Sequence, residues 1–103
     1  MIFVETAEFT KEAIKLFTDE ELWALQVFLA KNPDSGDIIQ HSGGCRKLRW
    51  AVGSQGKRGG TRVIYFHRIS AKRIELLKAY KKGKKDDLTE DEKRALKRII
   101  GKS

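Results

Sequence analysis

The sequence predicts an α+β fold in which two N-terminal helices and one C-terminal helix pack on a small, mainly antiparallel, twisted sheet. Two observations carry this reading. Apolar residues recur at helical spacing before Pro33 and after Thr89, and at a spacing of two in between. The connections within the spacing-of-two region also suit hairpins. A chain of 103 residues, 40% hydrophobic and 35% charged, builds one domain over residues 1–103. At that length roughly two thirds of the unfolded surface can be buried, enough to fold without metals or disulfides.

Ile2 and Val4 alternate with Phe3 and Glu5, which predicts a short first strand. Thr10 can then cap a short helix carrying Ala13, Ile14 and Phe17. Thr18-Asp19-Glu20-Glu21 is a capping box that starts a second helix with the stripe Leu22, Leu25, Phe28 and Leu29. Asn32-Pro33 ends it, because proline disfavours helical geometry in the residue before it, and residues 34–37 form a turn. Strands follow: Leu48, Trp50 and Val52 alternate with Lys47, Arg49 and Ala51, then come residues 61–69 and residues 73–80. The glycine-rich residues 53–60 and the short residues 70–72 connect them. Thr89-Glu90-Asp91-Glu92 is a second capping box, opening a last helix with the face Glu92, Ala95, Leu96, Ile99 and Ile100.

The formal net charge is +8, and its placement is lopsided. Residues 1–40 hold 3 basic and 8 acidic side chains, residues 41–85 hold 14 basic and 1 acidic, and residues 86–103 hold 5 of each. A block whose only acid is Glu75 repels itself unless it faces a polyanion, and nucleic acid is the usual one. A lone Cys45 forms no internal disulfide, and no Cys and His set has zinc-finger spacing, so a reducing compartment, the cytoplasm, and no metal are expected. The longest apolar stretch, residues 22–30, is broken by Gln26 and falls short of the roughly 20 residues of a membrane span. The N-terminus lacks the basic start and cleavage site of a signal peptide.

Closing the glycine-rich loop symmetrically sets Ala51 across from Arg62 and Arg49 across from Ile64. Closing the second hairpin about Ala71 sets Arg62 across from Tyr80 and Ile64 across from Lys78. One face then collects Lys47, Arg49, Arg62, Lys78 and Tyr80. It also carries Ile64, Phe66 and Leu76, which require a cover from the terminal helix or a partner. The other face receives Leu48, Trp50, Val52, Val63, Tyr65, Ile69, Leu77 and Ala79, the core under the helices. His67 falls on that core side, facing Glu75 as a buried His–carboxylate pair.

Cations gathered on a sheet can neutralise a phosphate and stabilise the extra charge of a pentacovalent phosphorane during RNA cleavage. Attack by the 2′-hydroxyl needs no metal or cofactor, but it needs one group to take a proton and one to protonate the departing 5′-oxygen. Lys78, crowded by like charges, and Tyr80 are candidates, against the plainer readings of a solvated lysine and a packed aromatic. His41 lies in a loop, Cys45 lacks the companions of a catalytic thiol, and the Gly56-Lys57-Arg58-Gly59-Gly60 loop is not a P-loop, since Ala51 replaces its first glycine and a strand follows. Lys57 and Arg58 at the tip can close over an RNA backbone.

The runs Ser42-Gly43-Gly44-Cys45-Arg46-Lys47-Leu48-Arg49-Trp50 and Gly56-Lys57-Arg58-Gly59-Gly60-Thr61-Arg62-Val63-Ile64-Tyr65-Phe66 resemble the HigB-like branch of the RelE/ParE toxin superfamily. So do Tyr80-Lys81-Lys82-Gly83-Lys84 and the Asp87-Leu88-Thr89 entry to the last helix. The resemblance implies a RelE-like fold and the toxin of a type II toxin–antitoxin module, a metal-independent endoribonuclease that cuts translated mRNA in the ribosomal A site. It implies a cognate antitoxin of helix-turn-helix type, the 70S ribosome and mRNA as partners, operator DNA indirectly through the antitoxin, and no membrane. By resemblance Lys47 and Arg49 are the family's strand cations, Arg62 is the arginine of its Gly-x-Arg-x-x-Tyr strand, and Lys82 is the basic position after the last strand. Many relatives then place an arginine and a tyrosine. Here Gly83 and Leu88-Thr89 stand nearby, leaving Tyr80, Lys82 and Lys84 as alternatives for the general base.

The candidate catalytic set is Lys47, Arg49, Arg62, Tyr80 and Lys82. Arg46, Lys57, Arg58, Lys78, Lys81, Lys84 and Lys85 are candidate RNA- and ribosome-binding cations. The competing functions are a non-enzymatic gyrase poison, as in the ParE branch, and a plain RNA-binding module.

Overall fold

The computed structural model describes residues 1–50, 60–81, 83 and 87–101. Its elements are β1 (Ile2–Glu5), α1 (Ala7–Leu16), α2 (Asp19–Lys31), β2 (Asp37–Ile38), β3 (Arg46–Trp50), β4 (Thr61–Arg68), β5 (Arg73–Lys81) and α3 (Glu90–Ile100). The five strands form one sheet in the order β1-β5-β4-β3-β2, antiparallel except for β1, which runs parallel to β5. The α+β architecture with three helices on a mainly antiparallel sheet is the one the periodicity predicts. The two-residue β2 extends what reads in sequence as a turn. No described helix is long and apolar enough to cross a membrane.

Both capping boxes form as read: the Thr18 hydroxyl accepts from the Glu21 N–H and the Thr89 hydroxyl from the Glu92 N–H, with each glutamate reaching back. The first helix starts earlier than expected. Thr6, not Thr10, is its cap, accepting from the Phe9 N–H at 3.0 Å, while the Thr10 hydroxyl donates to Glu5. The added turn makes Phe9, Ala13 and Phe17 the buried stripe at spacings of four. Ile14, expected on that stripe, is rotated off it and is 77% exposed.

The register corrects two further expectations. β3 pairs with β4 two residues away from the symmetric closure, so Lys47 faces Ile64 and Arg49 faces Arg62, and the described pairing ends at Trp50 and Thr61. An even shift leaves every side chain on its expected face. In the second hairpin Arg62–Tyr80 and Ile64–Lys78 pair as expected, but the register then shifts so that Tyr65 faces Leu76 and Leu77 has no partner. This bulge exchanges two leucines. Leu76 joins the core under α1 and α2, and Leu77 joins the core under α3, the reverse of strict alternation. Thr6 supports the distortion: its N–H donates to the Leu76 carbonyl at 3.0 Å and its hydroxyl to the Leu77 carbonyl at 2.8 Å. The same shift sets Phe66, not His67, across from Glu75. His67 instead meets Asp34, Nδ1 to Oδ1 at 2.9 Å. Ile69, expected in the core, is exposed in the 3-10 turn that leads to Lys72, a residue at φ +50°. Ala51 and Val52 lie outside the described residues.

Two cores result. Under α1 and α2, Phe9, Leu25, Leu29, Leu48, Val63, Tyr65, Ile74 and Leu76 pack together, and Phe28 packs against Trp50 with ring centroids 5.2 Å apart and planes tilted by 45°. The Tyr65 hydroxyl donates to the Pro33 carbonyl at 2.8 Å and accepts from the Gly36 N–H at 2.9 Å, pinning the end of α2 to the sheet. Gly36 has no room for a side chain, since a Cβ would stand 2.9 Å from the Tyr65 ring. On the other face α3 lays Leu96 and Ile100 over Cys45, Ile64 and Leu77, with Phe66 and Tyr80 beside them. The terminal helix therefore covers Ile64 and Phe66, as their position demanded.

Candidate functional site

On the α3 side of the sheet the register builds two rows across β3, β4 and β5. One is Lys47–Ile64–Lys78, and the other is Arg49–Arg62–Tyr80. Side chains directly opposite one another stand roughly 4.5–5.5 Å apart at Cβ, so the second row starts Arg49, Arg62 and Tyr80 from neighbouring positions on one face. The two-residue shift in the first hairpin creates this alignment, because symmetric closure puts Ala51 where Arg49 stands.

Arg49 is exposed. Lys47 lies 3.6 Å from the Asp87 carboxylate, contributed by the segment before α3. Lys78 is 17% exposed and bridges two helices, with its ammonium 2.6 Å from Glu8 of α1 and 3.9 Å from Glu92 of α3. Glu8, Glu12, Lys78, Ala79, Tyr80 and Glu92 line a cleft of about 200 Å³ there. The Tyr80 hydroxyl is buried and makes no hydrogen bond among the described residues. Burial first, then the carboxylates of Asp87 and Glu92 against the opposing charge of Arg62, push its phenol above the ordinary value. The neutral phenol is thus a proton donor at physiological pH.

Lys47, Arg49, Arg62, Lys78 and Tyr80 are brought together on one face as the sequence predicts. Arg46 and Lys81 are not with them, since each follows the opposite alternation. Arg46 donates to the carbonyls of Asp34 and Gly36 at 3.1 and 2.8 Å and lies 3.7 Å from the Asp34 carboxylate, tying down the loop after α2. Lys57, Arg58, Lys82, Lys84 and Lys85 lie outside the described residues. Sequence reading missed the carboxylates. Glu8, Asp87 and Glu92 meet the cations from elements far away in the chain, and only the capping-box role of Glu92 was visible locally. Cys45 is buried, its thiol pushed up to about 11 by burial, in keeping with an ordinary packed residue.

At its far end the same face carries an ion cluster. Arg68 and Arg73 both hold Glu75, at 2.6 and 2.8 Å, and Arg68 also donates to the Ile100 carbonyl at 2.6 Å. Burial pushes the Glu75 carboxyl up, but the hydrogen bonds and charges of Arg68 and Arg73 outweigh it and hold it below its ordinary range. The cluster anchors the end of α3.

No protein-family model matches the chain. Solved structures do. A chain of the intact E. coli RelBE toxin–antitoxin complex aligns with a TM-score of 0.58 at 18% identity, over 78% of this chain and 94% of that one. The isolated E. coli RelE toxin aligns with a TM-score of 0.58 at 20% identity, over 95% of this chain and 97% of the toxin. The protein has a RelE-like fold.

Proposed function

We propose that this protein is the toxin of a type II toxin–antitoxin module, of the HigB-like branch, and that it cleaves translated mRNA in the ribosomal A site. The observation that carries the reading is the Arg49–Arg62–Tyr80 row on a RelE-like sheet. A phosphodiester laid along that row has its non-bridging oxygens between two guanidiniums, where the charge of a phosphorane develops. The 2′-hydroxyl gives its proton to a general base, for which Lys82 and Lys84 are the candidates when Tyr80 acts as the acid, and attacks the adjacent phosphorus; the bond to the 5′-oxygen breaks, and a 2′,3′-cyclic phosphate and a 5′-hydroxyl result. Tyr80, held neutral, donates toward the departing oxygen, and Arg62 stabilises the transition state. Lys47, Arg49 and Lys82 share charge stabilisation and proton transfer. No metal takes part.

Its partners are a cognate helix-turn-helix antitoxin, the 70S ribosome with mRNA, and operator DNA reached through the antitoxin, all in the cytoplasm. Support for an antitoxin comes from the fold, which a chain of the RelBE complex shares. The test is brief expression from a tight promoter, with mRNA 5′ ends mapped across one gene with and without its start codon. Cuts confined to the translated message are expected. Growth arrest without cuts overturns the nuclease reading and leaves a gyrase poison or a binding module.

A further inference from the structure

Lys47 and Lys78 lie on the same face and both are paired with carboxylates of this chain, but in different ways. Lys78 is a half-buried tie between helices, 2.6 Å from Glu8. The Lys47 pair is open: its partner Asp87 is 70% exposed, stands in the segment between β5 and α3, and keeps a separation of 3.6 Å. Asp87 Oδ1 also accepts the Leu88 N–H at 3.0 Å, which holds the carboxylate toward the sheet face. One negative charge spread over two oxygens, at contact distance from a strand lysine, reproduces what a phosphodiester offers through its non-bridging oxygens.

We propose that Asp87 is a built-in counterion that fills the phosphate place beside Lys47, so that an RNA backbone entering the site must displace it. The inference rests on the RNA-cleaving reading of this face and adds to it the residue that sets how tightly, and with what salt sensitivity, the backbone is taken. The Leu88 N–H and the Lys47 ammonium hold the Asp87 carboxyl below its ordinary range, so the stand-in stays charged throughout the neutral range. An entering phosphate exchanges one negative charge for another near Tyr80, and the phenol remains protonated.

The prediction is electrostatic. In the wild type, a phosphate reaching Lys47 meets a pair of zero net charge and releases little of its counterion atmosphere. In Asp87→Asn it meets a full unit charge. Binding of a short single-stranded RNA, 2′-O-methylated at each position to prevent cleavage, is measured between about 50 and 200 mM salt. Asp87→Asn is expected to tighten binding about two- to fivefold near 0.1 M salt, the range of an exposed ion pair. It is also expected to steepen the slope of log K against log salt by about 0.7. Adding Lys47→Met to it returns the slope to the wild-type value. Asp91→Asn removes the same charge from the first turn of α3, where Asp91 pairs with Arg94, and leaves the slope unchanged. Thermal melts establish that each variant is folded. Equal slopes for Asp87→Asn and Asp91→Asn overturn the counterion role while RNA binding stands. No binding by the wild type or any variant overturns the counterion role, while the cleavage reading on which it rests is decided separately by the mapping of mRNA 5′ ends.

Discussion

The two faces of the sheet solve different problems. Under α1 and α2 the contacts are almost wholly apolar, and the one phenol among them, Tyr65, has its hydroxyl satisfied twice. Under α3 the apolar patch is smaller and gives way at one end to the cation rows and at the other to the Arg68–Glu75–Arg73 cluster. A fully buried large side chain contributes roughly 1.5–3 kcal/mol, so stability concentrates on the first face. Charges cannot be sealed inside an apolar core without large desolvation costs, so chemistry that uses cations has to sit where the cover is partial.

That division can be broken deliberately. Phe9→Ala, in the first core, is expected to cost about 3–5 kcal/mol in chemical denaturation. A loss under about 1 kcal/mol would mean the first face is not the main source of stability. On the second face, Arg62→Ala is expected to lower mRNA cleavage by roughly two to three orders of magnitude, the effect of losing one preorganised donor. Its melting point should stay close to that of the wild type, and a loss below threefold in the folded variant would remove Arg62 from the transition state.

Glu75→Gln tests the charged end of the second face. At pH 7 it should cost about 1–3 kcal/mol, because two arginines lose their carboxylate. The folded carboxyl titrates below its ordinary value near 4.5, so its contribution is complete above that pH and is lost as pH falls through the lowered value. Melts of wild type and variant should therefore converge below about pH 4.5. A constant gap down to pH 3 would show that packing, not charge, is what Glu75 supplies. The smallest expected effects are Thr18→Ala and Thr89→Ala, each about 1 kcal/mol through loss of a cap. If the faces act independently, the double variant should show the sum of the two in denaturant titrations.

The caps were legible because a capping box closes its hydrogen bonds within four residues, and both form as the sequence reads. Strand parity was legible for a similar reason: a period of two survives a register shift of two, so Lys47, Arg49 and Arg62 reached the expected face although their partners changed. An odd change does not survive in this way. The single unpaired residue at Leu77 moved Leu76 and Leu77 to opposite cores and took His67 from Glu75 to Asp34. Nothing local in Leu76-Leu77 marks the bulge, since two adjacent leucines serve either register, and the choice is made where Thr6 reaches their carbonyls from the start of α1.

By itself, then, the sequence determined the three helices and the main strands, the two capping boxes, the basic face and which strand residues lie on it, because periodicity and short-range hydrogen bonds are properties of a few consecutive residues. The tertiary structure alone decided that Arg49 stands beside Arg62 and that Leu77 bulges. It also decided that Asp87, Glu92 and Glu8 meet Lys47 and Lys78. Those contacts join residues as many as 70 positions apart, and a Coulomb interaction depends on where helices come to rest on a sheet, which no local pattern of residues specifies.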